Sequence, residues 1–337
     1  MQHFGRAYLA FWLVTALLAA DVLRPAAAPA PQARPRDAFL GYVAAGADGS
    51  LWFPERQGLG RMTPAGHVDH FPLDREPGQP IAADPDRDVW FALPGALGAL
   101  DPGGHLRTYP LPSHAWRLGG IAVGPDRGIW FTIDKPGPGA YIGRMGASGE
   151  VATYQVRPRY SALGGIAVGP DGNLWFTDGS YDAIGRITPA GVSTVYDLPR
   201  GGETHYPQDI AAGPDGALWF TGDGGIGRMT TAGHFSWRRV GGGARHPWRI
   251  AAGPDGNLWA TEIYGDHVWR VTPGGAMRAF RVPARNSGPW GIAAGPDGNL
   301  WVTATCANRL VRITPAGKMR EFPVSDAHWD GSYCIDP

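Results

Sequence analysis

Acidic side chains recur shortly after a series of tryptophans in this sequence. An acidic residue lies three or four positions after a tryptophan in five places: Glu55, Asp134, Asp178, Asp223 and Glu262. Two or three converging carboxylates can hold a hard cation such as Mg²⁺ or Ca²⁺ together with water. Asp178, Asp223 and Glu262 are therefore the candidate metal ligands. The alternative role of these carboxylates is to cap turns or to pair with arginine.

A histidine lies near the same acidic residues. His246 is the candidate catalytic base, with Glu262 beside it, because an imidazole exchanges protons close to neutral pH. The alternative is a surface or hydrogen-bonded histidine without a chemical role. The sequence contains no Ser-His-Asp spacing, zinc motif, phosphate-binding loop or dinucleotide fingerprint.

A third group of candidates is aromatic. Trp116, Trp248 and Trp290 each precede a short apolar run, and Tyr206 has an equivalent place in the chain. Aromatic side chains bury a large area at low entropic cost, which suits rings and sugars as ligands. Together with Arg249, which can bind an anionic group, they form the candidate ligand-binding set. The alternative is that they cap a channel or pack on neighbouring loops.

A repeat positions all of these residues. The segment GPDGNLW occurs at 169–175, 253–259 and 295–301, and looser copies bring the number of its tryptophans to seven, at positions 52, 90, 130, 175, 219, 259 and 301. Each unit contains four short apolar runs separated by Pro/Gly turns, which predicts four antiparallel strands. The expected fold is all-β, a seven-bladed β-propeller of four-stranded antiparallel blades. The seven tryptophans are expected to be wedges between blades.

The strand order predicts which face carries function. Each unit begins on its inner strand, so the PDG turns and the TPAG-type turns share the bottom face. The loops that enter the inner strands and the loops that follow the tryptophans share the top face, and the candidate residues lie there. The first unit starts on its inner strand and the last ends on its outer strand. No strand is visibly shared, so we expect the ring to close by face packing alone or by something that the repeat does not show.

The ends of the chain differ from the repeat. Residues 1–28 combine a basic start with an apolar run that is short for a membrane span, which predicts a signal peptide, with an uncleaved anchor as the alternative. Residues 29–37 are a Pro/Ala-rich linker, 38–324 the propeller and 325–337 a C-terminal tail. The expected location is periplasmic or secreted.

Charge and cysteine content narrow the expected partners. The 337-residue chain has a formal net charge of +0, which argues against nucleic acid or an anionic membrane surface. We expect a monomer that binds a small molecule, without membrane contact beyond an N-terminal anchor. Cys306 and Cys334 can form a disulfide outside the cytoplasm, and two unpaired thiols are the alternative.

The pattern P-x-G-I-A-x-G-P-D-G-N-L-W-F-T-[DE], followed by I-G-R-I-T-P-x-G, resembles the streptogramin B lyase (virginiamycin B lyase) family. Residues 164–191 and 289–317 carry it best, and it extends over about residues 38–324. The resemblance implies a seven-bladed propeller that opens a cyclic depsipeptide at its ester by elimination, with Mg²⁺ as cofactor. It implies a histidine in each of two P-H-[AG]-I motifs on the top face, and two glutamates near the second motif.

The matching motifs depart from this pattern. PWRI at 247–250 and PWGI at 289–292 place Trp248 and Trp290 in the histidine slots, and the glutamate slots hold Gly288 and Thr305. An indole has no usable basic lone pair. Two hypotheses follow. One is an extracytoplasmic lyase-like enzyme acting on a cyclic or ester-containing small molecule. The other is a non-catalytic propeller that binds a small molecule or carbohydrate on an aromatic-lined top face.

Overall fold

Seven four-stranded antiparallel sheets make up the fold in the computed structural model. The structure describes residues 40–84, 88–113, 116–135, 137–199, 205–241 and 246–324. Each sheet is built from four consecutive strands and is one blade, so the predicted all-β, seven-bladed propeller is confirmed. The predicted signal peptide, linker and C-terminal tail lie outside the described residues.

The first four blades follow one another along the chain. Blade 1 contains β1 (Ala44–Ala45), β2 (Leu51–Glu55), β3 (Gly58–Met62) and β4 (Val68–Pro72). Blade 2 contains β5 (Ile81–Ala83), β6 (Val89–Leu93), β7 (Ala96–Leu100) and β8 (Leu106–Pro110). Blade 3 contains β9 (Arg117–Val123), β10 (Ile129–Asp134), β11 (Ala140–Met145) and β12 (Val151–Arg157). Blade 4 contains β13 (Leu163–Val168), β14 (Leu174–Asp178), β15 (Ala183–Ile187) and β16 (Ser193–Asp197).

The remaining three blades complete the ring. Blade 5 contains β17 (Ile210–Ala212), β18 (Ala217–Gly222), β19 (Gly225–Thr230) and β20 (Phe235–Arg239). Blade 6 contains β21 (Pro247–Ala252), β22 (Leu258–Glu262), β23 (His267–Val271) and β24 (Met277–Arg281). Blade 7 contains β25 (Pro289–Ala294), β26 (Leu300–Ala304), β27 (Arg309–Ile313) and β28 (Met319–Pro323). Within the described residues, no helix has the length and apolar character needed to cross a membrane.

The repeated segment GPDGNLW is the hairpin turn between the first and second strands of a blade. In blade 4, Asp171 accepts hydrogen bonds from the Asn173 backbone N–H at 3.2 Å and from the Trp175 indole N–H at 2.9 Å. Gly172 has a φ of +73°, a conformation that favours glycine. Gly169 must lack a side chain because a Cβ there would overlap the Trp175 ring. The motif is therefore explained, residue by residue, as the requirement of one turn.

The bond between indole and carboxylate recurs in blades 3 to 7, with lengths of 2.9 to 3.1 Å. Arginines of the third strand reinforce it: Arg144 Nε donates to Asp126 at 2.6 Å and Arg228 Nε donates to Asp215 at 2.7 Å. Burial acts to raise the pKa of Asp126, but hydrogen bonds from Trp130 and Arg144 outweigh burial and lower it below its ordinary value. These ionised carboxylates hold the bottom turns.

The seven motif tryptophans are buried between neighbouring blades. Trp175 of blade 4 packs in one cluster with Leu218 and Phe220 of blade 5. Trp301 of blade 7 packs in the same way with Phe53 of blade 1. Each indole removes a large apolar area from water only because the next blade covers it. The expected wedge role is confirmed, and the core of each blade is completed by its neighbour.

Threonine hydroxyls add hydrogen bonds between blades. At the closing junction, Thr303 Oγ1 donates to the Gly41 carbonyl at 2.8 Å and Thr305 Oγ1 donates to the Leu40 carbonyl at 2.7 Å. The same kind of bond, 2.8 to 3.0 Å long, joins four other pairs of neighbouring blades through Thr132, Thr177, Thr221 and Thr261. Among the residues that the structure describes, no strand is shared between the first and last blades, and the ring closes by face packing together with these hydrogen bonds. Its hydrogen bonds are an addition that the repeat did not indicate.

Replacing Thr303 tests this closure. Thr303→Val keeps the β-branched shape but removes a hydroxyl that also accepts the Gly291 N–H at 2.8 Å. Because two buried backbone groups lose their partner, we expect the free energy of unfolding to fall by about 1–3 kcal/mol, measured by urea denaturation. Thr303→Ser keeps the hydroxyl and is the matched control, which should lose less. Equal stability of the two variants would show that closure does not need this bond.

Candidate functional site

Irregular inner strands shape the top face of blades 6 and 7. In blade 6 the register shifts between Pro247 and Ile250, and in blade 7 it shifts between Pro289 and Ile292. Each shift is a β-bulge, which turns side chains away from the regular alternation of a strand. Since the inner strands of a propeller line its channel, the residues turned toward the channel mouth are Trp248 and Arg249 in blade 6 and Trp290 and Gly291 in blade 7.

The two motif slots expected to hold histidine contain a pair of indoles. The ring centroids of Trp248 and Trp290 are 5.4 Å apart and the ring planes are tilted by 57°, an arrangement of interacting aromatic rings. Trp248 is partly exposed, whereas Trp290 is 7% exposed. Their carbonyls accept hydrogen bonds from Thr221 and Thr261, which fix the backbone at both positions. The structure thus brings together two of the predicted ligand-binding residues.

Arg249 of blade 6 lies beside the indole pair and contacts residues of both blade 5 and blade 1. Its Nη1 is 3.2 Å from Asp209 Oδ1, and its guanidinium carbon is 3.6 Å from the centroid of the Tyr42 ring. Gly291 permits the close approach of blades 7 and 1, because a Cβ there would lie 2.7 Å from the Cα of Tyr42. Arg249 is 8% exposed. It is a buried cation held by a carboxylate and an aromatic face.

Burial controls the protonation of this pair. It raises the pKa of Asp209 to about 7, against the lowering effect of the hydrogen bond from the Ile250 N–H. Burial also lowers the pKa of Arg249 to about 9. The contact between the two groups opposes both changes, since each charge stabilises the other. Arg249 stays protonated at neutral pH, so the pair keeps a cation at the channel mouth.

The candidate metal ligand Asp178 is fully occupied by its neighbours. It is buried, and its carboxylate accepts hydrogen bonds from Arg157 Nε at 2.5 Å, from the Ser161 hydroxyl and from the Tyr181 N–H at 3.2 Å. These donors come from the end of blade 3, the loop into blade 4 and the turn after β14. Asp178 therefore joins two blades, which is the turn-capping alternative stated for these carboxylates.

His246 has a carboxylate partner, but that partner is Asp223. His246 Nδ1 lies 3.1 Å from Asp223 Oδ1, and both side chains are about half exposed on the rim of blades 5 and 6. Glu262 is 3% exposed, accepts the Trp269 indole N–H at 2.9 Å and lies 3.6 Å from His267 Nδ1. Glu262 pairs with Pro247, the residue after His246, across the two strands. The described contacts of His246 are nevertheless with Asp223 and Tyr264, and those of Glu262 are with Trp269 and His267.

The same contacts decide whether a magnesium ion fits. Among the residues that the structure describes, no group of three or more histidine, cysteine, aspartate or glutamate side chains is arranged to hold a metal ion. A magnesium site built by protein needs carboxylate oxygens that converge. Asp178, Asp223 and Glu262 instead serve different local partners. The residues that the structure describes therefore do not fit the ion.

Trp116 and Tyr206 lie apart from the indole pair. Trp116 packs against the apolar core between blades 2 and 3. Tyr206 is 48% exposed at the entrance to blade 5, where its N–H donates to Asp182 Oδ1 at 3.1 Å. Of the five predicted ligand-binding residues, the structure groups Trp248, Arg249 and Trp290, places Tyr206 on the rim and gives Trp116 a packing role.

Sequence reasoning missed Asp209 and Tyr42. Both become visible when the inner strands are aligned on the apolar residue that starts each short run. The residues directly before that position form a lower tier around the channel: Tyr42, Pro80, Gly120, Gly165, Asp209, Arg249 and Gly291. One residue earlier, the upper tier consists of Gly41, Gln79, Gly119, Gly164, Gln208, Trp248 and Trp290. The signal was therefore present, as Tyr42, Asp209 and Arg249 in a lower tier whose commonest residue is glycine.

The two glutamate slots of the motif also have structural occupants. Gly288 has a φ of +55°, and a Cβ there would lie 2.6 Å from Cys306 Sγ. Thr305 is 1% exposed and its hydroxyl closes the ring through Leu40. Neither position has room for a longer acidic side chain without moving its neighbours.

Comparison with protein families gives a match to the virginiamycin B lyase family over residues 30–134 and 116–330. No curated protein matches the chain. Among solved structures, a streptogramin B lyase is 28% identical with a TM-score of 0.74, and the match covers 86% of this chain and 95% of that one.

Two structures of virginiamycin B lyase from Staphylococcus aureus are also similar. The selenomethionine-substituted enzyme is 32% identical, with a TM-score of 0.70 and coverage of 75% of this chain and 86% of that chain. A catalytically inactive variant with quinupristin is 31% identical, with a TM-score of 0.71 and coverage of 77% and 91%.

Magnesium should not stabilise this protein. Because Asp178, Asp223 and Glu262 have separate partners, we expect millimolar MgCl₂ to leave the melting temperature where an equal ionic strength of NaCl leaves it, measured by calorimetry. A saturable rise with Mg²⁺ that Asp223→Asn abolishes would contradict this assignment of the carboxylates.

The predicted disulfide stays a prediction, because Cys334 lies outside the described residues. Cys306 is 3% exposed in the top loop of blade 7, and its N–H donates to the Ser287 carbonyl at 3.0 Å. We expect no free thiol in the denatured, unreduced protein after export, and two after reduction, by thiol-reagent counting. Two free thiols before reduction would rule out the Cys306–Cys334 bond.

Proposed function

Because the chain belongs to the virginiamycin B lyase family, we propose that it is a monomeric propeller that binds a cyclic, aromatic small molecule at its top face and leaves it intact. The observation that carries the proposal is the pair formed by Trp248 and Trp290, 5.4 Å apart, in the two slots where the motif calls for histidine. Indoles supply binding area but no base.

The surroundings of the pair support binding over turnover. Elimination needs a group that takes a proton and a group that stabilises the leaving carboxylate. Arg249, which stays protonated, lies 5.7 Å from the Trp248 ring centroid and stacks on Tyr42. An anion-stabilising group is therefore present beside the indole pair, whereas the neighbouring carboxylate of Asp209 is already bound by Arg249 and by the Ile250 N–H.

A relative offers a precedent for binding without conversion. A catalytically inactive variant of the Staphylococcus aureus lyase has been crystallised with quinupristin. That scaffold therefore holds quinupristin after its activity is lost. We extend this behaviour to the present chain, whose histidine slots contain Trp248 and Trp290.

The proposed place of action is outside the cytoplasm. Residues 1–28 have the composition of a signal peptide, and the Pro/Ala-rich residues 29–37 would separate the propeller from it. Fractionation of cells that produce the full-length chain tests this location.

A lyase-like activity is the second candidate, and one observation favours it. Asp223 lies 3.1 Å from His246 Nδ1, and the ring of His246 meets Tyr264 edge-on at 5.3 Å between centroids. A carboxylate on Nδ1 orients an imidazole so that Nε2 can accept a proton. His246 is two residues before Trp248, so it stands on the rim of the same mouth.

Quinupristin separates the two candidates. We expect the full chain to bind it in isothermal titration calorimetry, and chromatography with mass detection of the same mixture to recover the intact ring. Trp290→Ala should weaken binding at least about tenfold, because a hot-spot indole contributes roughly 2 kcal/mol or more. Trp116→Ala, which removes a partly buried indole packed against the core between blades 2 and 3, is the matched control for loss of an indole.

Linearisation of quinupristin would favour the second candidate, provided that His246→Gln abolishes it. Binding that is unchanged in both Trp248→Ala and Trp290→Ala would contradict the proposed site. Absence of binding at millimolar quinupristin would contradict the proposed function.

A further inference from the structure

Some buried polar atoms without a hydrogen-bond partner belong to residues that lead into the inner strands. Within the part of the chain that the structure describes, Gln79 Oε1, Trp248 Nε1 and Arg249 Nε are buried and have no such partner. All three belong to the two tiers of inner-strand residues defined above. Native proteins leave few buried polar groups unpaired because each costs free energy, so a group of them at one opening calls for an explanation.

The donor or acceptor character of these atoms determines which ligand groups can form hydrogen bonds with them. Trp248 Nε1 can only donate, and Arg249 Nε donates from a cation. The Gln79 amide carries both a carbonyl and an NH₂ group, and rotation about its last bond exchanges them. The carboxylate of Asp209 is already engaged, through Arg249 Nη1 at one oxygen and the Ile250 N–H at the other. Trp248 Nε1 and Arg249 Nε therefore both need an acceptor, preferably an anionic one.

The side chains around the mouth indicate what the rest of the ligand should be, apart from its acceptor group. Arg249 stacks on Tyr42 at 3.6 Å and lies 5.7 Å from the Trp248 ring centroid. The Trp290 ring adjoins Trp248. A planar carboxylate matches the guanidinium fork, and aromatic faces favour an apolar or ring-bearing body over water alone.

We propose that the channel mouth is a carboxylate-binding site in which Arg249 and Trp248 donate to the anion and Trp290 contacts the body of the ligand. This inference rests on the proposed function and deepens it. It assigns the ligand to the class of small carboxylic acids with an aromatic or apolar body, or of cyclic peptides that bear a carboxylate. Ordered water is the competing occupant, since water can satisfy buried donors.

A matched pair of probes tests the site. 3-Phenylpropionate and 3-phenylpropionamide share their shape and differ in charge. We expect the full chain to prefer the acid by at least about tenfold in isothermal titration calorimetry, because hydrogen bonds to a charged acceptor are the stronger ones. Arg249→Met should reduce this preference to about one, and Trp248→Phe, which keeps an aromatic ring and removes only the N–H, should weaken acid binding about fivefold.

Controls keep the result interpretable. Removing Arg249 leaves Asp209 buried without its cation, so the double variant Asp209→Asn with Arg249→Met is measured alongside the single one. Arg238→Gln, at an exposed outer strand, should keep the full acid preference. Equal binding of acid and amide by the unaltered chain, or no binding of either, overturns the carboxylate site and leaves water as the occupant.

The outcomes separate this inference from the proposed function. If quinupristin binds and the acid preference is absent, the carboxylate site is rejected and the proposed function stands. If the acid preference is present and quinupristin does not bind, the proposed function fails and the carboxylate site stands.

Discussion

The structure depends on the burial of one tryptophan per blade against the next blade. A single four-stranded sheet with apolar residues on both faces cannot exclude water from both, so each blade is stable only between two neighbours. Trp175 packing against Phe220 and Trp301 packing against Phe53 are the same contact at different points of the ring. This constraint explains why a tryptophan held by a similar turn recurs in every blade.

The hydrogen bonds between blades hold backbone atoms, so side chains on the top face can differ between family members. Thr221 and Thr261 bind the backbone carbonyls of Trp248 and Trp290 and not their side chains. The backbone at these two positions of blades 6 and 7 is therefore held independently of the side chain that occupies them. A histidine, a glutamine or a tryptophan can stand there without loss of the fold, so a family with one architecture can carry different chemistry at its channel mouth.

The sequence predicted the fold well and the site only in part. Blade number, strand order, the wedge tryptophans and closure without a shared strand all follow from the period of the repeat, which is a local property. Pairing of side chains across loops is not local. Along the sequence, a hairpin turn separates His246 from Glu262. In the structure His246 contacts Asp223, and Glu262 accepts a hydrogen bond from Trp269. Asp209 and Tyr42 were overlooked because their role exists only when blades 5, 6 and 1 meet around Arg249.

In the proposed function, the indole pair at the channel mouth receives a ligand without converting it. Nuclear magnetic resonance of the indole N–H groups, on protein labelled with ¹⁵N at tryptophan and titrated with quinupristin, tests this proposal. We expect the signals of Trp248 and Trp290 to move on titration and those of the wedge tryptophans bonded to their turn aspartates to stay in place. Quinupristin recovered from the tube should be intact. Stationary signals from both mouth indoles, or recovery of linearised quinupristin, would contradict it.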